Sequence, residues 1–227
     1  MRARETCSAG PSALPAVSGG LACTLRSVDR RSSFGCLVEV VETLVLTLVI
    51  FFVIQNFVAQ PYQVQQNSME RTLEPGQYVL VDKLTPRWDP YKRGDVVVFT
   101  PPPAYTQDTT PFIKRVIGLP GDTVEIKDDG KVYVNGVALD EPYTHKNDAG
   151  VNEPTVPLTN QSSWVVPAGE LFVMGDHRVA SADSRVFGPI PESSVIGRAF
   201  LRYWPISTIG ILQTPSYPGV PAPPTAP

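Results

Sequence analysis

The chain has 227 residues, 42% of them hydrophobic, which is enough for one or two small domains with a folded core and excludes a wholly disordered protein. The formal net charge is −3, and the 19 Lys and Arg residues are scattered, so no basic surface for nucleic acid is expected. Twenty-four prolines and 17 glycines favour short strands joined by turns, and hence a mainly β fold.

Cysteine and histidine are too few and too dispersed in the sequence to suggest a metal site. All three cysteines (Cys7, Cys23 and Cys36) lie in the first 36 residues. The two histidines, His145 and His177, do not have the i, i+4 spacing of a helical zinc site. The sequence therefore predicts no metal and no cofactor, and any later chemistry should use oxygen and nitrogen side chains.

One segment, residues 37–58, is apolar enough to span a membrane as a helix. Its charge-free centre, Thr43–Ile54, is shorter than usual, so a buried helix is the alternative. A cleaved signal peptide is a poorer alternative, because the apolar run is long, starts late and lacks a good small-residue cleavage site apart from Ala59. Residues 1–36 are rich in Ser, Gly, Ala and Arg without periodicity and are expected to form a disordered cytoplasmic tail.

The charges on either side of this segment predict its orientation. Arginine exceeds acid before the segment, whereas residues 59–81 carry one Arg and two Glu. The positive-inside rule then places the N-terminus in the cytoplasm and residues 59–213 outside the plasma membrane.

The extracytoplasmic part contains a close succession of strand signals, at Tyr78–Val81, Asp95–Phe99, Phe112–Ile117, Thr123–Lys127, Lys131–Val134, Leu171–Met174 and Val195–Tyr203. The dipeptide Asp129-Gly130 separates two of them and predicts a hairpin, and Asn135-Gly136 predicts a further tight turn. These signals favour an antiparallel β core with an accessory lobe inserted at about residues 128–170. Residues 214–227 contain six prolines and are expected to be extended and disordered.

Four short stretches carry candidate chemistry: Asn67–Gly76, Tyr91–Phe99, Phe112–Asp122 and Gly175–Gly188. In the third, strand alternation places Lys114 on the face of Phe112 and Val116. A lysine there either extends its amine to water or is desolvated and becomes neutral near pH 7 to 8, well below its reference pKa of about 10.4. Only a neutral amine can accept a proton, and arginine cannot replace lysine in this role.

In sequence order these stretches resemble bacterial signal peptidase I, a family of Ser/Lys proteases, over about residues 40–205. The matching motifs are Asn-Ser-Met-Glu-Arg-Thr-Leu after a membrane anchor, Gly-Asp-Val-Val-Val-Phe, Lys-Arg-Val-Ile-Gly-Leu-Pro-Gly-Asp, and Gly-Asp-His-Arg followed by Ser-Ala-Asp-Ser-Arg. The resemblance implies a membrane-bound endopeptidase that removes signal peptides from exported preproteins after small residues. Its partners would be those preproteins and the lipid bilayer.

The resemblance also implies a role for individual residues. Ser68 would be the nucleophile, and Lys114 the general base. Ser181 would hydrogen-bond and orient the Lys114 amine, and Asp183 and Arg185 would shape the loop that holds Ser181.

The substrate side of the site is implied by the same resemblance. Val64, Met69 and Ile113 would line shallow pockets for small side chains. The backbone N–H of Ser68 would be one oxyanion donor. Gln66 stands where the family often has a serine that donates to the oxyanion, so Gln66 would substitute through its amide or the site would do without this donor. Arg71 and His177 stand where the family usually has Pro and Asn.

Two other functions fit parts of the sequence. A Ser-His-Asp hydrolase could use Ser68 and His177, but the Gly-x-Ser-x-Gly motif is missing around Ser68 and Lys114 would have no role. A non-enzymatic, membrane-anchored β domain that binds a protein or cell-surface partner would not depend on either Ser68 or Lys114.

Overall fold

The structure is a computed structural model that describes residues 31–53 and 59–221. Its long helix, α1 (Arg31–Val53), contains the apolar segment, and its portion Gly35–Val53 is long and apolar enough to cross a membrane, with none of it buried in the protein. The helix begins at Arg31, six residues before the predicted start of the apolar segment at residue 37. Residues 1–30 of the predicted tail and the predicted helix end, residues 54–58, lie outside the described residues.

Beyond this helix the described chain is mainly antiparallel β, as the sequence predicts. The strands are β1 (Ala59–Gln63), β2 (Tyr78–Asp82), β3 (Val96–Phe99), β4 (Phe112–Gly118), β5 (Thr123–Ile126), β6 (Val132–Val134), β7 (Val137–Ala138), β8 (Ser163–Val165), β9 (Glu170–Met174), β10 (Ile190–Pro191), β11 (Val195–Trp204) and β12 (Gly210–Ile211). One short helix, α2 (Ser184–Phe187), precedes β10. Single-turn 3₁₀ helices occur at Asn67–Met69, Thr85–Arg87, Arg178–Ala180, Glu192–Ser194 and Ile206–Thr208.

The larger sheet has eight strands in the order β1-β2-β11-β3-β4-β9-β10, with β12 paired to β11. Strand β3 lies at its middle and is buried on both faces. Val96 and Val98 pack in the cluster that contains Met69, whereas Val97 and Phe99 pack in the cluster that contains Val116. The uninterrupted apolar run of β3 is what a strand with two covered faces requires.

The inserted lobe is a four-stranded sheet in the order β7-β6-β5-β8. Strands β5 and β6 form the predicted hairpin, with Val124 opposite Val134 and Gly130 at φ 74°. The lobe sheet begins at Thr123, five residues before its predicted start at 128, because the first strand of the hairpin belongs to it. Its core, which includes Trp164 and Phe172, is shared with β9 of the larger sheet.

The strands that the sequence did not predict are short or at a sheet edge. Strand β1 contains Pro61 and lies at the edge of the larger sheet, where a residue without an N–H is tolerated. Strand β8 has only three residues within the polar segment, of which Trp164 alone is buried. Such signals are too weak to recognise before the pairing partner is known.

The described part of the C-terminal segment, residues 214–221, packs against the domain, whereas the sequence predicts an extended, disordered tail. In residues 214–221, Thr214 donates a hydrogen bond to Asp95 at 2.8 Å, and the Tyr217 hydroxyl donates to the Tyr143 hydroxyl at 2.9 Å. Tyr217 and Val220 pack against the core of the lobe. The described part of the predicted disordered tail is therefore packed on the domain, and residues 222–227 lie outside the described residues.

Candidate active site

Ser68 lies in the 3₁₀ helix that follows strand β1, and it is only 2% exposed. This helix and the residues that follow it up to Leu73 form the serine turn, which is held in place by packing and by backbone hydrogen bonds. Met69, the residue after Ser68, is fully buried in the core, and its carbonyl accepts hydrogen bonds from the N–H groups of Thr72 and Leu73. The serine hydroxyl is thus held by packed backbone rather than by a mobile loop.

Lys114 lies in β4, opposite Val97 of β3, and is 1% exposed. Its amine nitrogen Nζ is 2.7 Å from Oγ of Ser68 and 3.1 Å from the carbonyl oxygen of Ile113. The ring of Phe112, which the alternation of the strand places on the same face, has its centroid 5.1 Å from Nζ. The structure therefore brings the predicted serine and lysine into hydrogen-bond contact in a dry, partly aromatic setting.

The surroundings of this amine favour its neutral form. Burial lowers the pKa of Lys114 from 10.5 to about 8, since a low-dielectric site disfavours the ammonium. The carboxylates of Asp183 and Asp176 act in the opposite direction and limit the fall, whereas Arg185 adds to it. Desolvation is the larger effect, so a substantial fraction of the amine is uncharged at mildly alkaline pH.

The loop that follows β9 carries the three other predicted residues, Ser181, Asp183 and Arg185. The Arg185 guanidinium donates to both oxygens of the Asp183 carboxylate at 2.8 Å, and neither side chain is exposed. Asp183 also accepts hydrogen bonds from the Gly175 N–H and from the Ser181 hydroxyl. The predicted ion pair is present and organises the loop.

The predicted hydrogen bond between Ser181 and the Lys114 amine is not formed. The Ser181 hydroxyl instead donates to Oδ2 of Asp183 at 2.8 Å. This carboxylate, two residues away, takes the single hydroxyl proton of Ser181. Ser181 nevertheless lies close to Ser68. The Ser181 side chain and the Ser68 carbonyl oxygen both occupy the space beside Gly175 that a Cβ atom would fill in any other residue.

Arg115 and Asp176 form a second buried ion pair, which the sequence reasoning missed. Two guanidinium nitrogens of Arg115 contact the two Asp176 oxygens at 2.8 and 2.7 Å. Arg115 also donates to the Gly94 carbonyl, and Thr72 donates to Asp176. The pair joins β4, the serine turn and the loop after β9. The sequence did contain one indication of it, because Arg115 follows Lys114 in a strand that is buried on both faces and therefore needs a charged partner.

A groove of about 170 Å³ lies beside the serine turn and is lined in part by Val64, Ile113, Val98, Tyr62 and Gln66. Val64 and Ile113, the predicted pocket residues, both line this groove. Met69 is a fully buried core residue and is not a wall of this groove. Gln66 is exposed on the groove, and its side chain makes no capping hydrogen bond to the 3₁₀ helix.

His177 contacts Ser68 through its backbone and not through its ring. Its N–H donates to the Ser68 carbonyl at 3.1 Å, while its imidazole lies against Glu70, Glu153 and His145. The Ser68 hydroxyl is hydrogen-bonded to Lys114. Ser68 and His177 therefore do not form part of a Ser-His-Asp triad in this structure.

Comparisons with known proteins relate the chain to one family. The family model described as signal peptidase, peptidase S26, matches residues 37–204. Signal peptidase IB of Staphylococcus aureus is 36% identical over 180 residues, which cover 75% of this chain and 91% of that protein. Signal peptidase I of Leptolyngbya laminosa is 37% identical over 183 residues, covering 79% and 85%. A crystal structure of a signal peptidase I from Enterococcus faecalis is 34% identical and covers 48% of this chain and 95% of that chain, with a TM-score of 0.36.

Proposed function

The chain belongs to the peptidase S26 family of signal peptidases, and on this premise we propose that it is a membrane-bound endopeptidase that removes signal peptides from exported preproteins through a Ser68–Lys114 dyad. The observation that carries the proposal is the 2.7 Å contact between the buried Lys114 amine and the Ser68 hydroxyl. A serine next to a desolvated lysine is the arrangement that a Ser-Lys nucleophile requires.

In the first half of the reaction, the neutral Lys114 amine takes the proton from Ser68 Oγ as Oγ attacks the scissile carbonyl carbon. The resulting tetrahedral intermediate collapses when the ammonium returns that proton to the leaving amine nitrogen, and the C–N bond breaks. The acyl group remains on Ser68 as an ester. Water, deprotonated by the same amine, then hydrolyses the ester and regenerates the hydroxyl.

The negative charge that develops on the carbonyl oxygen needs hydrogen-bond donors. The backbone N–H of Ser68 is the first donor in this proposal, because the residue is fixed in a 3₁₀ turn. Gln66 is the candidate second donor, as its exposed amide lies on the adjoining groove. Asp183 and Arg185 act as positioning residues that hold the loop against the serine turn.

The groove beside the serine turn supports the binding of apolar side chains near the cleaved bond. Its walls at Val64 and Ile113 are apolar, as binding of a small apolar side chain such as alanine requires. A substrate bound as an extended strand would place alternate side chains into such a groove while its backbone pairs with the protein.

Helix α1 supports anchoring in a membrane, with the N-terminus inside as the charge distribution predicts. Ser68 lies ten residues after Val58, so an extended chain keeps it within about 33–36 Å of the membrane exit. A preprotein whose own apolar segment occupies the same bilayer would present its cleavage site at this surface. Sharing one membrane raises the effective concentration of enzyme and substrate, which compensates for a shallow groove.

The test is cleavage of a purified preprotein by full-length protein in detergent micelles. Ser68→Ala and Lys114→Ala should each lower the cleavage rate by at least about 10³-fold, because nucleophile and base act as one unit. The matched controls are the exposed residues Ser193 and Lys127, whose alanine variants should cleave at the wild-type rate. Full cleavage by Lys114→Ala, with thermal stability retained, would refute the dyad, and the absence of cleavage by wild type would favour a non-enzymatic binding domain.

A further inference from the structure

The only two histidines of the sequence meet in the tertiary structure, next to the serine turn. The imidazole rings of His145 and His177 are stacked, with their centroids 4.0 Å apart. Glu70, two residues after Ser68, places Oε2 2.6 Å from Nδ1 of His177. Glu153 places one oxygen 3.3 Å from Nδ1 of His145 and the other 3.5 Å from Nε2 of His177.

The hydrogen-bonding needs of this cluster are incompletely met within the described residues. Nδ1 of both histidines and Oε2 of Glu153 are shielded from solvent, yet none of the three atoms makes a hydrogen bond of acceptable geometry. Close carboxylate oxygens lie out of line with the ring nitrogens. Buried polar atoms without partners are costly, so three of them in one small cluster indicate a ligand that these side chains would bind.

The donor set is the one that a divalent transition metal prefers. Ligand atoms from Glu70, His145 and His177 all lie within 4.8 Å of one another. Imidazole nitrogen with carboxylate oxygen is a zinc ligand set, with metal–ligand bonds of about 2.0–2.1 Å and hence ligand atoms about 3.3 Å apart in a tetrahedron. To bind one ion, the two stacked imidazoles would have to rotate apart so that their lone pairs meet, and Glu153 would then be a fourth ligand or orient an imidazole from outside.

We propose that Glu70, His145 and His177, assisted by Glu153, form a Zn²⁺ site beside the serine nucleophile. The site is separate from the Ser68–Lys114 dyad and takes no part in bond cleavage. The spacing of His145 and His177 in the sequence excludes a site on one helix but not one assembled by the fold, so this proposal differs from the sequence-based prediction of no metal.

The position of this site gives it a structural role for the nucleophile. Glu70 belongs to the serine turn, His177 to the loop after β9, and His145 and Glu153 to the inserted lobe. Backbone hydrogen bonds already join these parts, from His177 to Ser68 at 3.1 Å, from His145 to Asp176 at 2.9 Å and from Glu153 to His145 at 3.1 Å. A bound metal would add a cross-link between three segments that these bonds and the Thr72–Asp176 contact already join, and would help to hold the Ser68 backbone in place.

The primary experiment is calorimetric titration of ZnCl₂ into the full-length protein in detergent micelles, with the three cysteines alkylated so that thiolates do not contribute. We expect one Zn²⁺ per chain in the wild type. His145→Ala should weaken binding by more than about 100-fold, because loss of an outer-shell partner alone commonly costs 10–100-fold. Glu70→Gln should weaken it in the same way, whereas Glu192→Gln, at an exposed glutamate away from the cluster, should not.

Further measurements separate this site from the dyad and from loss of folding. Ser68→Ala should bind Zn²⁺ as tightly as wild type, so an inactive dyad would not mask an intact metal site. Co²⁺ should give the intense visible absorption of a tetrahedral site in wild type and lose it in His145→Ala. If His145→Ala fails to fold, Glu70→Gln decides the matter. Absence of a Zn²⁺ titration in wild type, or unchanged affinity in the ligand variants, would overturn the proposal.

Discussion

The pH dependence of cleavage follows directly from the burial of Lys114. Its pKa is lowered from 10.5 to about 8 by desolvation. If the neutral amine is the base, the fraction of competent enzyme is about 1% at pH 6, about 9% at pH 7 and about 50% at pH 8, as expected for one ionising group. The value of kcat/KM should therefore rise about 50-fold from pH 6 to pH 8 and level off above pH 9.

The lowered pKa of Lys114 also makes the stability of the fold depend on pH, and stability should rise as pH rises. The native pKa of Lys114 is below the unfolded one, so the unfolded chain binds more protons between pH 8 and pH 10.5. Burying the ammonium costs about 3 kcal/mol, fully present below pH 8, and this cost disappears as pH rises towards 10.5. Lys114→Met, which is apolar and does not ionise, should therefore be more stable than wild type at pH 7, with the difference shrinking by pH 10.

Both effects are measurable on full-length protein in micelles. Initial rates of preprotein cleavage at low substrate concentration give kcat/KM, which reports groups of the free enzyme. Thermal unfolding of wild type and Lys114→Met at pH 7 and pH 10 gives the stability difference, with Lys127→Met as the control at an exposed lysine. A flat rate profile from pH 6 to pH 9, or a Lys114→Met variant that is not stabilised at pH 7, would contradict this reasoning.

Three further perturbations test the two buried ion pairs near the dyad and the packing of the C-terminal segment. Asp183→Asn leaves the Arg185 guanidinium buried and unpaired, so unfolding free energy should fall by about 3–5 kcal/mol and cleavage with it; an unchanged melting temperature would contradict this. Arg115→Met should cost about as much by stranding Asp176, whereas Arg115→Lys keeps the charge without the two-pronged contact and should cost less in chemical denaturation. Tyr217→Ala should lower the unfolding free energy by about 1–2 kcal/mol, since it removes half-buried area and the bond to Tyr143. The exposed Ser216→Ala is its control, and equal stability of the two variants would show that the C-terminal segment is not held in solution.

Local patterns were sufficient wherever a single strand or turn decides the outcome. The apolar run before β1 predicts a helix, and α1 is one. Asp129-Gly130 predicts a hairpin because few other dipeptides accept the backbone of a tight turn, and β5 and β6 pair around it. The alternation of β4 placed Lys114 with Phe112, which its amine contacts in the structure.

Partners distant in the sequence could not be predicted in this way. Ser68 and Lys114 are 46 residues apart, and only the resemblance to a family linked them before the fold was known. Ser181 was expected to hydrogen-bond the Lys114 amine, but in the structure its hydroxyl donates to Asp183, which only the folded loop reveals. The packing of Tyr217 was missed because a proline-rich segment has no periodicity to reveal its docking surface.

The sequence by itself determined the element types, the hairpin and the residues capable of nucleophile and base chemistry, because these depend on neighbours along the chain. The tertiary structure alone decided which side chains are dry and which meet. Burial of Lys114 changes its pKa, and the convergence of His145 and His177 with two glutamates creates a candidate metal site. Both depend on distances through space, which a linear pattern does not contain.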